Sequence, residues 1–395
     1  MEYTAHRDLS LSLGFRMNDD TPAILGGPAT FANGPPPWPP ERPAVRDALL
    51  AAYADGSWGQ YHGPRVIDLE TRLSKRYHVP HSLTCTSGTL AVETALRAVG
   101  VGPGDEVIMA AYEYESNFLS IIAIGAKPVL VDICETNANF DPSQLDAARS
   151  PATKAVLVSH IHGGFAPIDE IVGWAKNERI AVIEDAAQSP AANDSDTPKA
   201  IVADIRTLSF GGSKILTAGR GGAMLFPNEK AFQRAKLWLN RGVQQWAALS
   251  ELQAAVLLPQ LESLPAEVTT RLSGMQVLAV DVHGLRMLPG DGLYKIGFHY
   301  DAIAFGMSRD LFVKAMRAEG VAFDAGFKAL HRSRAPSRFR AIGSLPCASI
   351  AHDAIVILHH PVMLGGRLAG QQVARAIAKT YRNAERIRAE FPPLS

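Results

Sequence analysis

The sequence predicts an α/β protein, with a mostly parallel central sheet in a large domain and a smaller α+β domain after it. Three observations carry that reading. From about residue 64, helical and strand-like segments alternate, the pattern of parallel strands covered by helices on both faces. At 395 residues, 47% hydrophobic and 20% charged, the chain can bury a large core, divided over two domains. A long amphipathic stretch, "SELQAAVLLPQLESL" at 250–264, then leads out of the alternating part.

The elements follow in order. "NGPPPWPPERP" at 33–43 is neither helix nor central strand, because proline lacks the N–H donor and fixes an extended backbone, so residues 1–43 read as an extended arm. Helical "PRVIDLETRLSKRY", strand "SLTCT", helical "LAVETALRAV", strand "EVIMAAY", helical "NFLSIIAIG" and strand "KPVLVDI" come next. Strand "KAVLVSHI", helical "IDEIVGWAKN" and the strands "IAVIED", "TLSF" and "GAMLF" complete a large domain over 44–262. "LYKIGFHYDAIAF", "RDLFVKAMRAEG" and a final helical run give a small domain over 263–395.

Composition excludes several classes of function. Lys+Arg and Asp+Glu both number 39, so the chain has no net field for bulk nucleic-acid or anionic-membrane binding. The most apolar run, "FLSIIAIGAKPVLVDI", is interrupted and too short to span a bilayer. Charges interrupt the apolar runs of the first 20 residues, unlike a secretory signal, and the expected location is cytoplasmic. Three scattered cysteines offer neither a disulfide framework nor a metal knuckle. "GVGPGD" at 100–105 follows a helix and precedes a strand, the reverse of a dinucleotide fingerprint.

In parallel sheets, ligands sit beyond the carboxyl ends of the strands, which selects the candidate residues. Ser87, Gly88 and Thr89 open a helix after "LTCT" and form either an anion cradle or a plain N-cap. Asp185 ends a buried strand, with Gln188 three residues on. It is salt-bridged, a helix cap for the following segment, or the partner of a protonated pyridine nitrogen, as pyridoxal phosphate requires. Lys214, in "SFGGSKILTAGRGG" with Ser209 five residues before it, would when desolvated lose its proton easily and form a Schiff base with a carbonyl cofactor. Tyr114 is a core tyrosine or a ring laid over a flat heterocycle. "HIHGG" at 160–164 supplies two alternate histidines without a third ligand, so no metal is expected and the pair reads as satisfied polar or active-site histidines. "FKALHRSRAPSRFR" at 327–340 concentrates basic residues, among them Lys328, His331 and Arg332. They form a substrate-anion site or a solvated face.

Taken in order, "TSGTLAVETAL", "GDEVI…YEYESN", "EDAAQ", "SFGGSK" with its trailing "GG", and "SELQAAVLLPQLESL" resemble the DegT/DnrJ/EryC1/StrS family of sugar aminotransferases, from about residue 22 to the C-terminus. "GGPA…PPPWPP", "KILTAG" and "GFKALH" look most like its branch of 3-amino-5-hydroxybenzoate synthases and scyllo-inosose aminotransferases. The resemblance implies a type I pyridoxal-phosphate-dependent (aspartate aminotransferase-like) fold, pyridoxal 5'-phosphate as cofactor, and a homodimer with interface active sites. By motif position, Lys214 would be the Schiff-base lysine, Asp185 the partner of the pyridine nitrogen and Gln188 the group facing the phenolic oxygen. Gly88, Thr89 and Ser209 would hold the phosphate, Tyr114 would stack on the ring, and His162 would border the site and orient the substrate. The implied reaction moves an amino group from glutamate or glutamine to a keto-sugar or keto-cyclitol. A dehydrating or aromatising enzyme of the aminohydroxybenzoate type and a catalytically weakened regulatory relative are the alternatives.

Two departures stand out. The family's N-x-R segment before "SELQAA" is replaced by the shorter "RGVQQWAAL", leaving Gln244, Gln245 or Trp246 as substitutes, or a phosphate held less tightly. Arg220 stands where the family commonly has an acidic residue, reversing charge close to Lys214.

Overall fold

Runs such as "VIMA", "PVLV" and "AVLVS" are buried along their length, as strands covered by helices on both faces must be. The computed structural model describes residues 20–190, 201–241, 244–278 and 282–392, with 241, 244 and 245 as backbone alone. Residues 1–19 of the expected arm lie outside the described residues.

The large sheet collects β1 (His81–Cys85), β2 (Glu106–Ala110), β3 (Lys127–Val131), β4 (Thr153–Ser159), β5 (Ala181–Asp185), β6 (Ile205–Ser209) and β7 (Gly222–Phe226). Its order is β1-β7-β6-β5-β4-β2-β3, and a two-residue strand Arg340–Ala341 from the C-terminal part adds to the β3 edge. β7 alone runs antiparallel to its neighbours; all other pairs are parallel, so the carboxyl ends of β1 to β6 share one edge. From β2 the chain builds outward to β3, then returns to the other side of β2 with β4 and continues through β5 to β6. That reversal opens a crevice at the ends of β2 and β4, where open α/β sheets take ligands.

Helix α1 (Pro43–Ala54) follows the proline-rich arm, and α2 (Pro64–Arg76) packs against β1. α3 (Gly88–Ala98) begins just past the end of β1, with the Ser87 hydroxyl capping Leu90 N–H at 3.1 Å. α4 (Glu115–Ala123) connects β2 to β3.

The long helix that leaves the large domain spans Glu251–Leu278, not 250–264 alone, and runs through both Pro259 and Pro265. Proline breaks helices by removing one donor and crowding the preceding turn. Here the long C-terminal helix Gly366–Arg382 packs along it, and a Cβ at Gly370 would sit 2.2 Å from the Gly274 carbonyl oxygen. Tertiary contact thus carries the helix past the prolines. Its start is a capping box in which Ser250 Oγ accepts from Gln253 N–H and the Gln253 amide oxygen accepts from Ser250. Glu251 is buried and accepts from the N–H groups of Arg65 and Val66, holding the start of α2.

The C-terminal part builds an antiparallel sheet in which Lys295–Tyr300 and Ile355–His359 are central, flanked by Leu285–Met287 and Phe323–Ala325. Buried Glu319 accepts from Ala23 N–H, Thr30 N–H and the Thr30 hydroxyl and pairs with Lys379 at 3.0 Å, fixing the arm to this part. The arm then crosses to the large domain, where Trp38 Nε1 donates to the Gly212 carbonyl at 3.0 Å. No described helix is long and apolar enough to cross a membrane.

Candidate active site

At the shared carboxyl edge lies a cavity of about 440 Å³. Every element ending there contributes. Ser87, Gly88 and Thr89 come from the end of β1, and Glu113, Tyr114 and Asn117 from the end of β2. Ser159, His160 and Ile161 come from the end of β4, Asp185 and Gln188 from the end of β5, and Ser209 with Gly211 to Lys214 from the end of β6. Gly219, Arg220 and Gly221 enter ahead of β7, and Tyr294, Lys295 and Phe327 close the cavity from the second sheet. Ten residues singled out from the sequence, counting His160 and Arg220, therefore line one space.

Asp185 is buried with both oxygens directed: Oδ2 accepts from Asn117 Nδ2 at 2.8 Å and Oδ1 from Ala187 N–H at 3.0 Å. Asn117 also donates to Ser159 Oγ at 3.1 Å and lies 3.5 Å from Glu113 Oε1. Glu113 is fully buried, and burial followed by the Asp185 carboxylate pushes it up to about 8, so it holds its proton at neutral pH.

The Lys214 loop is clamped from four sides. Trp38 holds Gly212; the Tyr294 hydroxyl bonds Ser213 Oγ at 2.7 Å and His360 Nε2 donates to the Ser213 carbonyl at 2.9 Å. Gln260 reads both the N–H and the carbonyl of Thr217, and Gln253 donates to the Arg220 carbonyl. The Lys214 ammonium lies over the Tyr294 ring, 4.1 Å from its centroid. Burial pushes it down to about 8, with Asp185 opposing and Lys295 adding to the fall. A free amine at neutral pH is thus close at hand.

Gly88 and Thr89 open α3, where the first N–H groups have no acceptor inside the helix. A Cβ at Gly88 would come within 2.7 Å of Ser209 Cβ, so glycine is what lets the helix start close against Ser209. Ser87 spends its hydroxyl on the N-cap. Arg220 is exposed at this end of the cavity, and its guanidinium makes no ion pair or hydrogen bond among the described residues.

The remaining expectations fall elsewhere. His162 does not line the cavity: it is fully buried in a left-handed conformation (φ 56°), with Nε2 3.1 Å from the Tyr112 hydroxyl. Burial, with Lys295 nearby, pushes it down to about 3, so the ring is neutral. Its backbone N–H donates to the Gln188 amide oxygen at 3.1 Å, which leaves the Gln188 NH2 group as the cavity-facing donor. His160 is spent on Glu184 and the Ala166 N–H. Lys328, His331 and Arg332 do not line the cavity either; His331 bonds Ser349 and Arg332 pairs with Asp353. Trp246 lies against Trp238, while the side chains of Gln244 and Gln245 lie outside the described residues. Sequence reasoning missed Glu113, Asn117, Tyr294 and Lys295. The first two were findable as polar residues just past the end of β2; the others come from a separate sheet.

A sequence profile of the DegT/DnrJ/EryC1/StrS aminotransferase family matches residues 44–378. The chain belongs to this family. An L-glutamine:2-deoxy-scyllo-inosose aminotransferase of Micromonospora echinospora is 28% identical over 424 aligned residues, covering 93% of this chain and 99% of the relative. The crystal structure of a 3-amino-5-hydroxybenzoic acid synthase superposes with a TM-score of 0.78 at 28% identity, covering 87% of this chain and 97% of that one. NtdA from Bacillus subtilis, solved with the bound cofactor PMP, shares the fold at a TM-score of 0.74 and 22% identity, covering 86% and 81%. This family member is an α/β enzyme with a mostly parallel eight-stranded sheet.

Proposed function

We propose that this aminotransferase uses pyridoxal 5'-phosphate to move an amino group from glutamine or glutamate to a keto-cyclitol or keto-sugar, working as a homodimer. The observation that carries the reading is a lysine with an easily lost proton sharing one cavity with a directed carboxylate and an open helix start. The residues present fit the cofactor. The cavity is in the range of cofactor sites, and Gly88 keeps the anion cradle open against Ser209.

In this reading Gly88, Thr89 and Ser209 hold the phosphate, Asp185 faces the ring nitrogen, Gln188 donates to the phenolic oxygen and Tyr114 covers the ring. When bound, the cofactor supplies an electron sink for the carbon that loses its proton. Asn117 and the Ala187 N–H keep the Asp185 carboxylate aimed. Lys214 would hold the cofactor through its amine and, once displaced by the donor, accept the donor's α-proton and return it on the cofactor side. Its low proton affinity suits both duties. His162 acts from behind, setting the Gln188 amide through its N–H.

The purified protein should be yellow, and glutamine or glutamate should bleach the visible band toward that of the amine form. A protein that stays colourless after reconstitution overturns the reading. The likeness to a 3-amino-5-hydroxybenzoic acid synthase favours one second reading, dehydration of an aminated ring. Product analysis with a cyclic aminoketone separates the two, and light scattering tests the dimer.

A further inference from the structure

Resting on the aminotransferase reading, we propose that Lys295 binds the α-carboxylate of the amino donor. Any amino-acid donor brings a carboxylate on the same carbon as the reacting nitrogen, so the cation that receives it must stand close to Lys214. Two cavity-lining cations besides Lys214 are available, Arg220 and Lys295. Arg220 lies exposed beside Gly221 and Ser87, at the phosphate end. Lys295, at the start of its strand, shares an aromatic neighbour with Lys214. The Lys214 and Lys295 ammonium groups lie 4.1 and 5.5 Å from the centroid of the same Tyr294 ring. Lys295 is also 5.7 Å from the centroid of Phe327, and Tyr114 packs against that ring.

Such a cation is costly to leave unpaired. Lys295 is largely withdrawn from water, yet makes no ion pair or hydrogen bond among the described residues. Asp324, a carboxylate whose field reaches it, is bonded to Arg317 and to His359 at 2.7 Å. Of the two acids in the cavity wall, Asp185 is bonded to Asn117 and the Ala187 N–H, and burial holds the proton on Glu113 at neutral pH. A bound carboxylate would supply the missing counter-charge, and the aromatic walls would strengthen the pair by excluding water. Lys328, His331 and Arg332, the more conspicuous cations in the sequence, are absent from the cavity lining.

The experiment is equilibrium titration of the cofactor-loaded enzyme with glutaramate, which is glutamine without its amino group, and with butanamide, which also lacks the carboxylate. Lys295→Met and Lys295→Gln should weaken glutaramate binding by about tenfold or more and leave butanamide unchanged. Lys295→Arg should keep most of the affinity. In steady state, the donor KM should rise in the neutral variants while the acceptor KM holds. The retained visible band reports that each variant is folded and loaded. Unchanged glutaramate affinity in both neutral variants overturns the assignment, as does a rise in acceptor KM alone. Should glutaramate bind through Lys295 while neither glutamine nor glutamate alters the cofactor spectrum, the carboxylate site stands and the transamination reading fails.

Discussion

Two groups of cations in this chain invite comparison. The segment 327–340 carries Lys328, His331, Arg332, Arg334, Arg338 and Arg340 within 14 residues, whereas Lys214 and Lys295 are isolated in otherwise apolar or glycine-rich surroundings. In the fold the dense group is largely consumed: Arg332 pairs with Asp353, Arg334 with Glu115, and Arg340 with Glu106 at 2.7 Å. The isolated pair faces the cavity against one tyrosine ring, and neither lysine makes an ion pair among the described residues. Clustered charge in a sequence therefore marks a surface that stitches elements together. A cation with few charged neighbours, drawn out of water, is the one with affinity left over for a ligand.

Substitutions in each group test this contrast. Lys214→Ala should abolish the visible band and lower amino transfer from glutamine by roughly a thousandfold or more, since it removes both the attachment point and the proton carrier. Substantial residual turnover would move the chemistry to another residue. In the apoprotein, labelling of Lys214 by an amine-reactive reagent should rise with an apparent pKa of about 8. The sign for stability follows. The folded lysine releases its proton at lower pH than the unfolded one, so the cost of burying its charge is full below about 8 and fades as pH rises toward 10.5. Lys214→Met should therefore raise apoprotein stability at pH 7, by about 1–3 kcal/mol in denaturant titrations, and by less at pH 10.

Glu113→Gln tests the acid side of the same wall. Glu113 is raised from 4.5 to about 8, so the folded state keeps a proton that the unfolded state gives up, and wild-type stability should fall as pH rises through that window. The glutamine variant should match wild type near pH 5 and exceed it above pH 8 by roughly 2–4 kcal/mol, read from melting curves of the apoprotein. The smallest effect belongs to the crowded segment. Arg332→Ala removes an exposed pair and should cost under about 1 kcal/mol, with donor and acceptor KM unchanged. A large KM effect would return that segment to the site.

Much of the site was legible in the sequence because a parallel sheet ties sequence position to spatial position. Asp185 and Ser209 end their strands, Gly88 and Thr89 follow one, and Lys214 lies a short turn beyond another, so all point to one edge. Lys295 was not legible. In "LYKIGFHY" it occupies a position where an antiparallel strand ordinarily shows lysine to solvent, and only the docking of the second sheet turns it inward. The basic segment misled for the same reason: Glu106 and Arg340 lie 234 residues apart, so their pairing cannot be seen locally.

Hydrophobic period and turn chemistry act over a few residues, so the alternating architecture and the strand ends that gather lysine, aspartate and the helix start can be read along the chain. Which charges are spent and which stay available is settled by long-range packing. It paired the crowded cations with distant acids, carried a helix through two prolines by packing it against Gly366–Arg382, and placed His162 behind the cavity with Lys295 in front of it. Burial and pairing energies depend on neighbours far away along the chain, and those neighbours are chosen by the fold.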